Sequence, residues 1–150
     1  RPTASQGWSG TGNYLIVLDG SNVAWTYGLH KRYSRRGILI VNEYYSALGC
    51  RVVTFLPRTR MTATVEDFDD LEREALRNLE ILHENGLLAL IPPGDYDDAY
   101  LLNYARSHGG LVLSNDHFVD HLAQAQADGD QARAQLDDYL RHCRVSFSFL

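Results

Sequence analysis

Short apolar segments with the composition of buried strands alternate with longer segments of helical spacing along most of this chain. Residues 14–18, for example, form a continuous run of β-prone apolar residues, which is typical of a strand buried on both faces of a sheet. Helical connections between such strands require crossovers, which produce a mostly parallel sheet with helices on both faces. The sequence therefore predicts an α/β fold with strands over residues 14–18, 52–56, 87–91, 111–113 and 145–149 and helices over 37–48, 65–85, 97–108, 116–127 and 130–142.

The length and composition of the chain limit its class further. Its 150 residues, of which 45% are hydrophobic and 22% charged, suffice for one domain with a packed core. Residues 1–12 are rich in Gly, Ser and Thr, so we expect a flexible lead-in there and one folded domain over residues 13–150. Cys50 and Cys143 belong to no metal-ligand pattern and are expected to be reduced, which fits an intracellular protein of the cytoplasm, nucleus or an organelle.

Acidic residues follow the ends of predicted strands, where an α/β fold binds its ligands. Asp19 comes directly after the first strand and Asp116 follows the fourth, with Asp120 one helical turn further on the same helix face. Asp97 and Asp98 open the helix that leads into the fourth strand. If the first and fourth strands are neighbours, these carboxylates converge where the strand order reverses. Crowded carboxylates repel unless protons or cations neutralise them, and oxygen ligands favour Mg²⁺ or Mn²⁺ over zinc.

Each of these segments also has a purely structural interpretation. Asp-Gly is a common turn, the Ser or Asn after it can cap a helix, and paired acids at a helix start can do the same. His117 and His121 flank the same acids at helical spacing, but no third nitrogen or sulfur ligand accompanies them, which disfavours a transition-metal site. Trp25 and Tyr27 are either core residues or platforms for a base. The pattern alone leaves a metal site and a set of caps and turns equally open.

The residues around these acids resemble those of a known family. The segment Val17-Leu18-Asp19-Gly20-Ser21-Asn22-Val23-Ala24 closely resembles the first motif of the NYN branch of PIN-like nucleases, and in particular of the Regnase-type ribonuclease domain. Further matches span most of residues 14–149, in the order Arg36-Gly37-Ile38-Leu39, Phe55-Leu56-Pro57 with Arg60, Tyr96-Asp97-Asp98, Ser114-Asn115-Asp116 with Phe118 and Asp120, and Ser146-Phe147.

The resemblance implies a three-layer α/β/α PIN-like fold and a Mg²⁺-dependent endoribonuclease, with Mn²⁺ as an alternative cation. Such an enzyme cuts single-stranded or loop RNA by a metal-activated water and leaves 5′-phosphate and 3′-hydroxyl ends. RNA is then the partner, flanking RNA-binding domains are expected in the full-length protein, a homo-oligomer is allowed, and no membrane is involved. By match to the family's motifs, the acidic centre comprises Asp19, Asp97, Asp98 and Asp116, with Asp19, Asp98 and Asp116 as metal ligands and Asn22 and Asp120 in support.

Charge and two departures from the family's pattern bear on RNA binding. The net charge is −5, and phosphate binding needs lysine or arginine. The family generally has a basic loop where this chain has Pro92-Pro93-Gly94-Asp95, and often an arginine where this chain has Val119. The sequence therefore predicts weak RNA affinity. The best remaining contacts are Arg35, Arg36, Arg58 and Arg60.

Other classes of protein share an acidic α/β pocket. A phospho-accepting receiver domain needs a lysine late in the chain, but the sole lysine is Lys31. A haloacid-dehalogenase-type phosphatase needs an aspartate two residues after Asp19, where Ser21 stands. Both are set aside. The alternative that stays open is a catalytically weak or inactive RNA-binding or protein-interaction module of the same fold.

Overall fold

Strands and helices alternate along the chain, as the pattern predicts. The computed structural model describes residues 14–62, 69–95 and 97–150, and for Asp97 the backbone only. The strands are β1 (Leu15–Asp19), β2 (Arg51–Pro57), β3 (Leu88–Ile91), β4 (Leu111–Leu113) and β5 (Arg144–Val145). The helices are α1 (Gly20–Tyr27), α2 (Arg35–Ala47), α3 (Asp70–Glu84), α4 (Asp97–His108), α5 (Val119–Ala127) and α6 (Asp130–Cys143), and a 3₁₀ helix (Arg58–Met61) follows β2. Across the described ranges, no helix combines the length and apolar character that crossing a bilayer requires.

The five strands form one sheet in which every pair is parallel. Their order is β3-β2-β1-β4-β5. The central strand is β1, where Val17 lies opposite Val53 of β2 on one side and Val112 of β4 on the other. The chain builds outward from β1 to β3 and then returns to add β4 on the other side, so the strand order reverses between β1 and β4. The predicted α/β fold with a parallel sheet is confirmed.

Alternate residues of β1 pack against opposite layers of helices. Ile16 and Leu18 belong to a core shared with α1, α2 and α3, whereas Val17 belongs to a second core shared with α4 and α6. All three side chains are fully buried, and each such burial stabilises the fold by about 1.5–3 kcal/mol. Two packed cores therefore fix β1, and with it the residue at its carboxyl end.

Helix α1 is absent from the predicted set of elements. It has only eight residues and begins directly after β1, where the sequence Asp-Gly-Ser-Asn has the pattern of a turn. Gly20 opens the helix against β2, and a Cβ there would lie 2.7 Å from the carbonyl oxygen of Phe55. Only glycine permits so close an approach of α1 to β2.

Two other elements are shorter than predicted. Strand β5 ends at Val145 instead of residue 149, because the backbone N–H and C=O of Phe147 bond to the side chain of Asn115, at 2.9 Å each. Helix α5 begins at residue 119 instead of 116, because Phe118 is left-handed (φ 54°) and its N–H donates to Asp116 Oδ1 at 2.8 Å. The predicted lead-in and residues 65–68 of the predicted third helix lie outside the described residues.

Candidate active site

Asp19 lies at the point where the strand order reverses. It is the last residue of β1 and the N-cap of α1, and only 5% of it is exposed. Its Oδ1 accepts the backbone N–H of Asn22 at 3.4 Å, and its Oδ2 accepts the hydroxyl of Ser114 at 2.9 Å. Because Ser114 directly follows β4, this last bond joins the carboxyl ends of β1 and β4, which are neighbours in the sheet.

The surroundings of Asp19 disfavour its charged form. Burial is the largest cause and raises the pKa of Asp19 from 3.8 to about 7, with the negative charge of Asp98 as the next cause. The hydrogen bonds from Ser114 and Asn22 lower this pKa, and the charge of Asp116 raises it further. The charges of Asp98 and Asp116 therefore both act on the Asp19 carboxyl group.

The loop after β4 is held in place by side chains of the same site. The backbone N–H of Asp116 donates to Ser114 Oγ at 3.1 Å, and the backbone N–H of Asn115 donates to Asn22 Oδ1 at 2.9 Å. Asn22, predicted as a supporting residue, thus ties α1 to the loop that carries Asp116. The Asp116 side chain itself is exposed to solvent.

The other predicted acids lie on two helices, α4 and α5. Asp98 lies in the first turn of α4, with its side chain 32% exposed, and Asp97 precedes it. Asp120 lies in the first turn of α5 and is exposed. The prediction that Asp116 and Asp120 share one helix face is wrong, because Asp116 lies before α5 begins.

His121 faces this acidic group from α5. Its Nδ1 lies 4.0 Å from Asp98 Oδ2, an ion pair when the imidazole is protonated. This nitrogen is buried and has no hydrogen-bond partner within the described part of the chain. The structure describes the backbone of Asp97 but not its side chain. Among the side chains that it does describe, no group of three histidine, cysteine or acidic residues is arranged to hold a metal ion.

The donor set nevertheless fits a hard divalent cation. The charged residues that act on Asp19, which are Asp98 and Asp116, offer carboxylate oxygens, the ligands that Mg²⁺ prefers. Each Asp19 oxygen accepts one hydrogen bond and keeps a further lone pair. A cation would also neutralise the charges that raise the pKa of this carboxyl group.

One of the four arginines predicted to contact RNA is buried. Arg35 is 2% exposed, its Nη1 lies 3.9 Å from Glu72 Oε2, and its Nε donates to the backbone carbonyl of Arg60 at 2.8 Å. A guanidinium enclosed in this way does not reach a phosphate, so we leave Arg35 out of the proposed RNA contacts. Arg36 and Arg60 are partly exposed and Arg58 is exposed.

The aromatic residues after the first acid pack within the fold. Trp25 and Tyr27 are half-buried and contact Tyr33 and Phe149 edge to face, at centroid distances of 5.5 and 4.9 Å. These contacts favour the core interpretation. The buried Tyr33 also connects to the site, since its hydroxyl lies 3.1 Å from Ser21 Oγ.

Three contacting residues are absent from the predicted site: Ser114, Tyr33 and His121. The sequence does indicate Ser114 as a hydroxyl that could donate a hydrogen bond near the acids, because it lies two residues before Asp116 and directly follows β4. Tyr33 lies in a loop whose path no periodicity indicates. The position of His121 depends on where α5 begins, which the left-handed Phe118 decides.

Comparisons with known proteins place this site in context. A family model described as the Zc3h12a-like ribonuclease NYN domain matches residues 12–148. A crystal structure of the nuclear proteinaceous RNase P 2 (PRORP2) from Arabidopsis thaliana is similar, with 22% identity and a TM-score of 0.68. A second structure of Arabidopsis thaliana PRORP2 has 24% identity and a TM-score of 0.65. Each match covers 93% of this chain but only 28% of the PRORP2 chain, and at this identity it shows the fold.

Proposed function

Because this chain belongs to the Zc3h12a-like family of ribonuclease NYN domains, we propose that it is a Mg²⁺-dependent endoribonuclease. Its substrate would be single-stranded or loop RNA, and its products would carry 5′-phosphate and 3′-hydroxyl ends. Mn²⁺ would substitute for Mg²⁺, because both are hard cations with oxygen ligands. The proposed acidic centre comprises Asp19, Asp97, Asp98 and Asp116, supported by Asn22 and Asp120.

The observation that carries this proposal is the buried carboxyl group of Asp19 at the reversal of strand order. A protein gains no stability from burying a carboxylate among other negative charges, since the pKa of Asp19 rises to about 7 in consequence. Groups with such perturbed pKa values cluster at functional sites. The location is also the one at which open parallel sheets bind their ligands.

The residues of the chain would prepare the cleavage. Asp19, Asp98 and Asp116 would hold Mg²⁺, which would orient a water, raise its acidity and offset charge on the phosphoryl oxygens. The Ser114 hydroxyl fixes the rotation of the Asp19 carboxylate, and Asn22 fixes the loop of Asp116. These bonds set the direction of the Asp19 carboxylate and the path of the loop that carries Asp116 before RNA arrives, so less reorganisation is needed during the reaction.

A second function, RNA or protein binding without efficient cleavage, is favoured by two observations. The described acids do not form a ready-made metal site, and the burial of Arg35 reduces the cations available to phosphates. Such a module would bind RNA and leave it intact.

Incubation with a fluorescent single-stranded RNA, in linear and circular forms, separates these functions. We expect both forms to be cut in Mg²⁺ or Mn²⁺ and neither in EDTA, with 5′-phosphates on the products. Asp98→Asn should slow cleavage by about 100-fold or more. The matched control is Asp137→Asn, an acid on α6 paired with Arg141 at 3.1 Å, which should cleave as wild type.

Each other outcome of this assay has a meaning. Binding of RNA without cleavage in either cation would establish the second function. Cleavage that survives EDTA, or an Asp98→Asn variant as fast as wild type, would contradict the metal-dependent centre.

A further inference from the structure

The first turn of α1, which Asp19 caps, is held from three sides. Towards β4, Asn22 Oδ1 accepts the N–H of Asn115 at 2.9 Å. On its other side, Ser21 Oγ and the hydroxyl of Tyr33 form a hydrogen bond of 3.1 Å. Gly20 packs closely against β2, where a Cβ would lie 2.7 Å from the carbonyl oxygen of Phe55. This turn therefore cannot shift without breaking one of these contacts.

Tyr33 also supports an arginine beside the same turn. The guanidinium carbon of Arg60 lies 4.0 Å from the centre of the Tyr33 ring, within the range of a cation–π contact. The backbone of Arg60 is fixed as well, because its carbonyl accepts Nε of the buried Arg35 at 2.8 Å. Within the described residues, no carboxylate forms an ion pair with Arg60. A guanidinium held by a ring in this way can still donate its N–H groups to a phosphate in the plane of the group.

The chemistry of Tyr33 suits a fixed structural contact. The side chain is 3% exposed, and its burial raises the pKa of the hydroxyl, which stays neutral at physiological pH. A neutral hydroxyl can both donate to and accept from Ser21. The charges of Arg60 and Asp19 have opposite effects on this hydroxyl, because Arg60 lowers its pKa and Asp19 raises it. Tyr33 therefore contacts the Arg60 cation with its ring and the first turn of α1 with its hydroxyl.

We propose that Tyr33 is a positioning residue of this nuclease, acting on the acidic centre through Ser21 and on the RNA through Arg60. Its hydroxyl fixes the first turn of α1, on which the orientation of the Asp19 carboxylate depends. Its ring holds the Arg60 guanidinium where it binds a phosphate of the RNA. A single side chain thereby sets the spacing between the phosphate-binding cation and the acids. This inference rests on the proposed nuclease function.

The two contacts of Tyr33 affect different kinetic constants. Alignment of Asp19 matters in the transition state, so loss of the hydroxyl lowers kcat and leaves KM unchanged. Arg60 binds the RNA equally in the ground state and the transition state, so its loss raises KM and leaves kcat unchanged. If Tyr33 had a purely structural role, its substitution would lower the stability of the domain without these separate effects on kcat and KM.

The test is steady-state cleavage of single-stranded RNA in Mg²⁺ by the intact chain and its variants. Tyr33→Phe removes only the hydroxyl and should lower kcat about fivefold, the rate equivalent of one hydrogen bond. Ser21→Ala should cause the same loss, and the double variant no further loss, because both remove one interaction. Arg60→Gln should raise KM about fivefold with kcat unchanged.

The matched control is Tyr139→Phe. Its hydroxyl also donates to a fixed acceptor, the carbonyl of Gly110 at 2.7 Å, before β4 begins and away from the acids. This variant should keep wild-type kcat and KM. The melting temperature of Tyr33→Phe should fall no further than that of Tyr139→Phe, so a kcat loss confined to Tyr33→Phe is not an effect of stability.

Three results would overturn the inference: a wild-type kcat in Tyr33→Phe, losses that multiply in the Ser21→Ala/Tyr33→Phe double variant, or an equal kcat loss in Tyr139→Phe. Asp98→Asn, assayed in parallel, identifies which claim has failed. If Asp98→Asn is inactive while Tyr33→Phe is normal, only the role of Tyr33 is refuted. If Asp98→Asn cleaves as wild type, the proposed function itself is refuted.

Discussion

Asp19 has two roles that make opposite demands on its charge. As the N-cap of α1 it accepts an N–H and lies at the positive end of the helix dipole, which favours the carboxylate. Burial and the charges of Asp98 and Asp116 favour the neutral acid instead, and they prevail, since the pKa rises to about 7. A bound cation would neutralise the charges of Asp98 and Asp116 and would then favour the charged form of Asp19.

The raised pKa of Asp19 predicts a pH-dependent stability. The folded state binds more protons than the unfolded state between pH 3.8 and about 7, so stability falls as the pH rises through this window and the loss is complete above it. In EDTA, Asp19→Asn should therefore melt above wild type at pH 8, by at least about 3 °C, or roughly 1 kcal/mol for a domain of this size. The gap should narrow at pH 5.

Differential scanning calorimetry at pH 5, 6.5 and 8 measures this gap. Asp137→Asn, an acid outside the site, serves as the control and should show no pH-dependent gain. Saturating Mg²⁺ should narrow the gap at pH 8, because the ion binds only the native wild-type site. A gap that does not change with pH would show that Asp19 titrates normally.

At the scale of elements, the buried pair of Arg35 and Glu72 joins α2 to α3. Glu72 also accepts the hydroxyl of Ser34 at 2.5 Å and the backbone N–H of Arg35 at 3.1 Å, so it caps the N-terminus of α2 from another helix. Arg35 in turn donates to the carbonyls of Arg60 and Thr62, after β2. The position of the 3₁₀ helix therefore depends on this pair.

Glu72→Gln should destabilise the domain by about 3 kcal/mol or more, because it removes the charge of one member of a buried ion pair. The measurement is the free energy of unfolding from urea titration. Asp70→Asn is the control, since that carboxylate is fully exposed and its Oδ1 lies as far as 3.9 Å from Arg73 Nη1. Its midpoint should match wild type. A Glu72→Gln loss below about 1 kcal/mol would mean that water reaches the pair.

The loop after β4 depends on Asn115 in a similar way. Its side chain bonds both the N–H and the C=O of Phe147, so Asn115→Ala removes two hydrogen bonds and should cost about 1–3 kcal/mol. Hydrogen exchange should show faster exchange at the Phe147 amide, and RNA cleavage should slow because the same loop carries Asp116. Asn103→Ala, on the exposed face of α4, should change neither. Unchanged exchange at Phe147 would contradict this account.

At the scale of the whole molecule, a net charge of −5 limits RNA affinity. The slope of log K against log salt for single-stranded RNA should therefore be shallow, with about 0.7 for each phosphate neutralised. Arg58→Gln and Arg60→Gln should each reduce the slope by about that amount. Arg141→Gln, on α6, should leave it unchanged. Equal salt slopes in wild type and all three variants would show that the RNA phosphates do not contact Arg58 or Arg60.

Local patterns predicted much of the fold and the acidic positions, while tertiary contacts decided the remainder. The apolar run of β1 and the acid that ends the strand are visible because a strand buried on both faces needs continuous apolar residues. The surface assignment of Arg35 was wrong because its partner Glu72 lies 37 residues away in another helix. The start of α5 likewise depends on the left-handed Phe118, a conformation that aromatic residues seldom adopt.

Binding of Mn²⁺ in the absence of RNA tests most directly whether Asp19, Asp98 and Asp116 form one cation centre. Electron paramagnetic resonance of free Mn²⁺ during a protein titration gives the stoichiometry and Kd, with Mg²⁺ as the competitor. The account predicts saturable binding that Mg²⁺ displaces, weakened at least about tenfold in each of the three single Asn variants and unchanged in Asp137→Asn. Wild-type Mn²⁺ affinity in any two of those Asn variants would contradict it.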